Sequence, residues 1–412
     1  MSKKSKNKGG NYVIPKNYVI SLDLIKKIVL LFSIPLLLNL FFGDKTFAAE
    51  SDVGPIITSE AVILIEEGSG RVLYEQNSDL KMYPASLTKV ATAIYAIEKG
   101  NLEDIVTVSE NAREVDGTRV YLEVGEKVTL KKLIQGLLIN SGNDAGVAIA
   151  EHLNGSEKEF AININAYLKE IGLRNTNFTN PHGLFDTNHT TTARDLALIT
   201  QYAMKNNEFR EIFGMKELKW DGEGWDTTLY NHHKLMRERP YEGVTGGKTG
   251  YVEESRHTLI TTAKRGNMSV IAVVLKGQSQ DAIYNNTVEL LDYAFTNFNL
   301  VTIPKGKEYS INDKKFVTKE MYSFPISNNE EIVEEITNKG YLEIKNQFQE
   351  KIFSFPISEL QKLEAKEEKQ NTANDDGYFF TLNTFTLIAI AILGMYSFSK
   401  FRKNRFRLKR FW

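Results

Sequence analysis

The sequence predicts an α/β fold of the α+β kind, in which an antiparallel sheet is covered by helices and carries an inserted helical lobe. A small β-rich domain and a C-terminal transmembrane helix are expected to follow. Hairpin signals at Gly68-Ser69-Gly70 and Arg265-Gly266-Asn267 lie at opposite ends of a domain-sized stretch, and helical patterns lie between them. The transmembrane helix is predicted because residues 378–398 are apolar, uncharged and long enough to cross a bilayer.

Length and composition indicate a globular protein of two domains with extensions. The chain has 412 residues, of which 42% are hydrophobic and 25% charged, and these are values typical of soluble domains with a sizeable core. A formal net charge of −1 gives no reason to expect nucleic acid as a partner. The chain contains no cysteine, which excludes thiol catalysis, disulfide bonds and thiolate metal sites.

Local sequence patterns predict several elements of the catalytic domain, residues 50–299. We expect strands at residues 61–65, 71–75, 257–263 and 268–275, and helices at residues 86–99, 130–139 and 144–152. The first helix should begin at Ser86, and Gly100 should stand at its C′ position.

Residues 300–363 are predicted to form the small β-rich domain, and residues 364–377 a charged, solvated stalk. Within this domain Tyr322-Ser323-Phe324-Pro325-Ile326-Ser327 recurs as Phe353-Ser354-Phe355-Pro356-Ile357-Ser358. Prolines at matched places indicate two equivalent edge strands. We interpret the repeat as a packing feature rather than a binding site.

Both ends of the chain carry membrane-targeting patterns. Residues 1–49 combine a lysine-rich start, a short apolar stretch and small residues, as in a signal peptide. A retained N-terminal anchor is the alternative, but Pro35 and the short apolar core disfavour it. The span at residues 378–399 precedes a basic tail, residues 400–412, which a buried core helix does not explain. The sequence thus predicts a single-pass cell-membrane protein with its catalytic domain outside the cell.

Three motifs lie in one order along the predicted catalytic domain: Ser86-Leu87-Thr88-Lys89, Ser141-Gly142-Asn143 and Lys248-Thr249-Gly250. Ser86 and Lys89 should share one face of a helix start, where a neutral lysine can take the serine proton. Ser141 is a candidate proton shuttle. Asn143 is a candidate to hold a substrate carbonyl or to orient Lys89, and a helix N-cap role for the triplet is compatible with both.

The third motif is expected to run along a sheet edge that a peptide substrate can join as an added strand. Lys248 would supply a second cation that lowers the pKa of Lys89, and with Thr249 it could bind a terminal carboxylate. The backbone N–H groups of Ser86 and Tyr251 are the expected oxyanion donors. A phosphate-binding loop is excluded, because the first glycine and the four-residue gap of that motif are missing.

With these motifs in place, residues 59–297 resemble the low-molecular-mass penicillin-binding proteins of the serine D-alanyl-D-alanine carboxypeptidase family, with their penicillin-binding/serine β-lactamase-like fold. The resemblance is sharpened by Thr179-Asn180-Pro181-His182-Gly183-Leu184 and by His189-Thr190-Thr191-Thr192-Ala193-Arg194-Asp195-Leu196-Ala197, which are similar to a signature absent from class A β-lactamases. It implies that Ser86 is acylated, that Lys89 is its base and that Ser141 assists. It also implies a substrate-binding set of Asn143, Lys248, Thr249, Gly250 and Tyr251.

The resemblance implies a D,D-carboxypeptidase that removes the terminal D-alanine from peptidoglycan stem peptides, needs no cofactor or metal and is inhibited covalently by β-lactams. His182, His189, His232, His233 and His257 are too scattered for a metal site, and we interpret them as structural. The chain departs from the family at Val252-Glu253-Glu254-Ser255-Arg256-His257, and no carboxylate-binding arginine matches around residues 276–278. A β-lactamase, a D,D-endopeptidase and a penicillin-binding sensor stay open as alternatives, although the short tail leaves little room for a sensor's output domain.

Overall fold

The structure, a computed structural model, describes residues 54–311 and 314–360, together with helical residues 387, 389–393 and 395–397. The predicted leader, stalk and basic tail lie outside the described residues, as does much of the predicted span at residues 378–399. Within the described part of the chain, no helix is long and apolar enough to cross a membrane.

The first part of the described chain holds nine strands and eight helices, with two short 3-10 turns. In chain order they are β1 (Ala61–Glu66), β2 (Val72–Gln76), a 3-10 turn (Ala85–Leu87), α1 (Thr88–Lys99), β3 (Ile105–Thr107), α2 (Glu110–Glu114), β4 (Lys127–Thr129), α3 (Leu130–Ile139), α4 (Asn143–Asn154), α5 (Glu157–Glu170), α6 (Ala193–Ala203), α7 (Asn207–Phe213), β5 (Glu217–Asp221), β6 (Asp226–Tyr230), a 3-10 turn (Lys234–Met236), β7 (Val244–Val252), β8 (Arg256–Arg265), β9 (Met268–Gly277) and α8 (Gln280–Asn297).

A five-stranded antiparallel sheet forms the centre of this domain, in the order β2-β1-β9-β8-β7. Every residue of β1 is buried, and alternate side chains enter two separate cores. Ile63 packs into the core on the side of α1 and α6, whereas Leu64 packs into the core on the side of α8. Residues 61–65 of the strand are all apolar because both of its faces are covered. The predicted antiparallel sheet covered by helices is thus confirmed.

The helical lobe is inserted between β2 and β7, and side-chain caps set several of its helix starts. Thr129, Ser156 and Thr192 each accept a backbone N–H at the start of α3, α5 and α6. The lobe also contains two small two-stranded sheets, β3–β4 and β5–β6, which were not predicted from the sequence. The first helix differs from expectation, since it begins at Thr88 rather than Ser86, and Gly100 caps it with an extended backbone.

The second described part is the β-rich domain, built from short antiparallel strands. They are β10 (Phe298–Ile303), β11 (Glu308–Ile311), β12 (Lys314–Val317), β13 (Tyr322–Ser327), β14 (Ile332–Ile336), β15 (Tyr341–Asn346), β16 (Lys351–Pro356) and β17 (Ser358–Glu359). The two copies of the repeat form β13 and β16, and each lies at the edge of its sheet within the described residues. The rings of Tyr322 and Phe355 stack with centroids 3.7 Å apart. The predicted pair of edge strands is confirmed, and the repeat packs upon itself.

A two-point ion pair joins this domain to the turn between β1 and β2. The Arg71 guanidinium donates to both carboxylate oxygens of Glu330, at 2.9 and 2.8 Å, and also to the carbonyl of Pro325. Glu330 in turn accepts the backbone N–H of Ser327 at 3.0 Å. Because the pair is bidentate and largely buried, it fixes the orientation of the β-rich domain on the sheet.

Candidate active site

Ser86 and Lys89 lie in contact at the junction of the first 3-10 turn and α1. Lys89 Nζ is 2.8 Å from Ser86 Oγ and 2.7 Å from the carbonyl oxygen of His182. The lysine side chain is fully buried. Burial first, and then the charge of Lys248, hold the pKa of Lys89 well below its usual range, while Asp144 opposes this. A neutral amine beside a serine hydroxyl has the geometry of a general base and its nucleophile.

The backbone at the nucleophile is strained and closely packed. Ala85, just before Ser86, has a φ of +49°, a conformation that is costly for a residue with a Cβ. Gly183 has a φ of +86°, and a Cβ on it would lie 1.9 Å from the carbonyl oxygen of Ala85. The signature loop around His182 therefore presses against the nucleophile turn, and glycine is required at this contact.

Lys248 and Ser141 form the second polar contact of the site. Lys248 Nζ donates to Ser141 Oγ at 3.0 Å and to the carbonyl of Thr249 at 2.9 Å. Burial lowers the pKa of Lys248 to about 7. The structure therefore brings Ser86, Lys89, Ser141 and Lys248 together in two lysine–serine pairs.

Asn143 makes a contact that neither predicted role includes. Its side-chain amide nitrogen donates to the carbonyl of Asp116 at 2.6 Å, which braces the loop of residues 116–123. The predicted N-cap interpretation is wrong, because Gly142 occupies the N-cap position of α4 and has no side chain to cap it. Asp144, which was not predicted as a site residue, holds the same loop in place. Its carboxylate accepts the backbone N–H groups of Val120 and Leu122 at 3.0 and 3.2 Å.

Strand β7 carries the third motif along the outer edge of the central sheet, as predicted. Its Gly250 faces the nucleophile, for a Cβ there would lie 2.9 Å from the backbone nitrogen of Ser86. The absence of a side chain lets this strand approach Ser86 closely. Tyr251 follows on the same strand, with its ring centroid 4.8 Å from that of His257 on β8. The expected oxyanion donors, Ser86 and Tyr251, thus belong to neighbouring backbone segments.

A cleft of about 390 Å³ opens over these residues. It is lined by Ser86, Thr118, Ser141, His232, Thr249, Gly250, Tyr251, His257, Thr258, Gln280, Ile283 and Tyr284. Both lysines and Asn143 are buried behind this lining. The cleft is therefore a polar groove between the helical lobe and the edge of the sheet, which suits an extended peptide.

The five histidines interpreted above as structural divide into two groups. His182, His189 and His233 are buried and hydrogen-bonded within the fold, as the structural interpretation expects. His232 and His257 instead line the cleft, where burial lowers the pKa of His232 to about 4. The role of the His182 carbonyl, which accepts a hydrogen bond from Lys89, was not predicted. Every residue has a backbone carbonyl, so the sequence does not indicate which one serves as an acceptor.

Comparison with known proteins agrees with this geometry. The family described as D-alanyl-D-alanine carboxypeptidase matches residues 46–279. The D-alanyl-D-alanine carboxypeptidase DacF of Bacillus subtilis is 36% identical over 291 residues, which are 68% of this chain and 73% of the relative. DacA of Haemophilus influenzae is 34% identical over 278 residues, 62% of this chain and 67% of that protein.

A solved structure extends the likeness to the fold. Penicillin binding protein 5 from Haemophilus influenzae superposes with a TM-score of 0.66 at 28% identity, covering 74% of this chain and 97% of that one. The family match spans more than half of the chain and includes all three motifs. The chain therefore belongs to the D-alanyl-D-alanine carboxypeptidase family of serine peptidases.

Proposed function

We propose that this chain is a membrane-anchored D,D-carboxypeptidase that removes the terminal D-alanine from peptidoglycan stem pentapeptides through an acyl-enzyme on Ser86. The observation that carries the proposal is the 2.8 Å contact between Lys89 Nζ and Ser86 Oγ. Burial lowers the pKa of Lys89 and so favours the neutral amine, which is the form that can accept the hydroxyl proton. General-base assistance of this kind contributes about 10²–10⁴-fold in rate.

In the acylation step, Ser86 Oγ attacks the carbonyl carbon of the D-Ala–D-Ala bond while its proton passes to Lys89 Nζ. Backbone N–H groups of Ser86 and Tyr251 stabilise the oxyanion, a contribution of about 10²–10³-fold for each donor. The proton then moves to the leaving nitrogen, either from Lys89 or through Ser141 Oγ, which accepts from Lys248. The C–N bond breaks, D-alanine leaves and an ester remains on Ser86.

Deacylation reverses these roles with water as the nucleophile. Lys89 takes a proton from water as the hydroxyl attacks the ester carbonyl, and Ser86 regains a proton as the shortened peptide departs. A β-lactam opens on the same serine, but its leaving nitrogen stays tethered to the acyl group. The same chemistry thus accounts for covalent inhibition by β-lactams.

Substrate binding is assigned to the edge of β7 and the loop opposite. The peptide would pair with β7 as an added strand, with its terminal carboxylate near Lys248 and Thr249. One N–H of the Asn143 amide is used by Asp116, which leaves the second N–H to hold a peptide carbonyl. Gly250 permits the close approach that such pairing needs.

The domain plan completes the proposal. We assign residues 1–49 to a signal peptide, residues 50–299 to the catalytic domain and residues 300–363 to the β-rich domain. A stalk (364–377), a membrane helix (378–399) and a cytoplasmic tail (400–412) follow. Support comes from the apolar span and its basic flank in the sequence. Deletion of residues 378–412 should move the protein from the membrane fraction to the soluble one, and persistent membrane association would contradict the anchor.

The activity is tested by D-alanine release from a synthetic pentapeptide ending in D-Ala–D-Ala. The purified full chain in detergent should release D-alanine, and a folded Ser86→Ala variant should release none. Retained release in the variant would overturn the assignment of the nucleophile. Cleavage of cross-linked peptide dimers instead of D-alanine release would favour an endopeptidase, rapid drug hydrolysis a β-lactamase, and a stable acyl-enzyme without turnover a sensor.

A further inference from the structure

Tyr121 is an exposed aromatic residue set between two fully buried ones. Val120 and Leu122 have no exposed surface, whereas 45% of Tyr121 is exposed. Its φ is +57°, in the left-handed region, where a bulky residue costs about 1–3 kcal/mol of strain. Strain of this size persists where the surrounding structure imposes it, and it is concentrated at functional sites.

A buried carboxylate imposes this conformation. Asp144 is fully buried and accepts the backbone N–H groups of Val120 and Leu122 at 3.0 and 3.2 Å. With its two neighbours turned toward the same carboxylate, Tyr121 is left pointing away from the core. The buried carboxylate of Asp144 thus stabilises a turn that exposes the aromatic side chain of Tyr121 to solvent.

Two further, half-buried side chains complete a cluster that we call the rim platform: Arg119, Tyr121 and Trp225. The ring centroids of Tyr121 and Trp225 are 5.1 Å apart, and the ring planes meet at 83°. The Arg119 guanidinium lies 5.4 Å from the centre of the Tyr121 ring. Trp225 comes from the β5–β6 hairpin, where Gly224 packs so tightly that a Cβ would lie 2.4 Å from the carbonyl oxygen of Tyr121.

The rim platform is linked to the catalytic cleft through the chain at Thr118. Thr118, three residues before Tyr121, lines the cleft together with Ser86, and its carbonyl accepts the N–H of Asn143 at 2.7 Å. Three residues of extended chain span at most about 11 Å. In a stem pentapeptide, four residues precede the bond that is cleaved and span about 13–14 Å when extended. Tyr121 is thus within about 11 Å of a residue that lines the cleft, a shorter distance than the part of the peptide before the cleaved bond can span.

We propose that the rim platform binds a sugar ring of the glycan strand that carries the stem peptide, an inference that rests on the function proposed above. Aromatic rings offer large apolar faces to the C–H faces of sugars, and their polar edges remain available for hydrogen bonds. Arg119 supplies donors for hydroxyl and N-acetyl oxygens. Peptidoglycan would then be recognised at two points, the peptide at β7 and the glycan at the loop of residues 116–123.

The test compares two substrates for the same reaction: the free pentapeptide and the pentapeptide attached to its disaccharide. Tyr121→Asn removes the ring, and asparagine tolerates the left-handed backbone better than most residues do. For this variant kcat/KM on the disaccharide substrate should fall by about threefold to tenfold, the range expected for loss of one aromatic contact. On the free pentapeptide it should change less than twofold, and Tyr121→Phe should retain most of the preference.

A matched control comes from the β-rich domain, where Tyr341 is also 45% exposed. Tyr341→Asn should leave both kcat/KM values unchanged. An equal loss on both substrates in Tyr121→Asn would show that the ring only shapes the cleft, and no loss on either would show that it binds no sugar; both results overturn the inference. If the wild-type enzyme released D-alanine from neither substrate, the proposed function itself would fail instead.

Discussion

Replacing Lys248 by methionine should abolish catalysis and at the same time stabilise the fold. The side chain is buried, and burial lowers its pKa from the ordinary 10.5 to about 7. In the unfolded chain the pKa returns to its ordinary value. Between these two values, the unfolded state binds one more proton than the folded state, so wild-type stability rises with pH across this window. Below about pH 7 Lys248 does not change the free energy of unfolding with pH, because it is protonated in both the folded and the unfolded state.

The magnitude follows from the pKa difference. A depression from 10.5 to about 7 corresponds to about 5 kcal/mol of destabilisation at pH 7. Methionine cannot form the hydrogen bonds of Lys248 to Ser141 and Thr249, each of which contributes about 1 kcal/mol. The net gain in free energy of unfolding for Lys248→Met is therefore about 3 kcal/mol at pH 7.

The assay is urea denaturation of wild type and variant at pH 7 and pH 9.5, followed by tryptophan fluorescence. The advantage of Lys248→Met should shrink by about 1.4 kcal/mol for each pH unit and so nearly vanish at pH 9.5. Lys264→Met, on neighbouring β8 but exposed, is the control and should show no such trend. A variant that is less stable than wild type at pH 7, or a difference independent of pH, would refute the reasoning.

Three further predictions concern the supports of the site. Gly183→Ala places a Cβ 1.9 Å from the carbonyl oxygen of Ala85, so the acylation rate with penicillin should fall by at least about tenfold, the equivalent of 1.4 kcal/mol; an unchanged rate would contradict the contact. Arg71→Ala removes both hydrogen bonds to Glu330, so limited proteolysis should cut faster between the two domains while penicillin acylation is unchanged; equal cutting would contradict the ion pair. Asp144→Asn removes a charged acceptor of two loop amides, worth about 1.5–3 kcal/mol per bond, so hydrogen exchange at those amides should accelerate by tenfold or more; unchanged exchange would contradict the bracing role.

The fold was predictable wherever local chemistry determines it. Glycine-containing turns specify the β1–β2 and β8–β9 hairpins, and the glycine run before Lys248 indicates an edge strand that another backbone can approach. The small two-stranded sheets β3–β4 and β5–β6 were not predicted. Their strands have three and five residues, too few for a distinct alternation, and their pairing depends on tertiary contacts.

In the site, the residue types were predictable and the supporting geometry was not. The structure brings Ser86, Lys89, Ser141 and Lys248 together, as the three motifs predicted. The helix was expected to begin at Ser86, but Ala85 with its positive φ places the serine in a 3-10 turn instead. This strain is imposed by packing across the fold, so residues distant in sequence decide it.

The central claim, acylation of Ser86 with Lys89 as its base, is tested most directly by intact-protein mass spectrometry after brief exposure to penicillin at pH 7. Wild type should gain the mass of one drug molecule, located by peptide mapping on Ser86, and Ser86→Ala should gain none. A folded Lys89→Met variant should be acylated at least about 10²-fold more slowly. An adduct on any other residue, or acylation of Lys89→Met at the wild-type rate, would contradict the account.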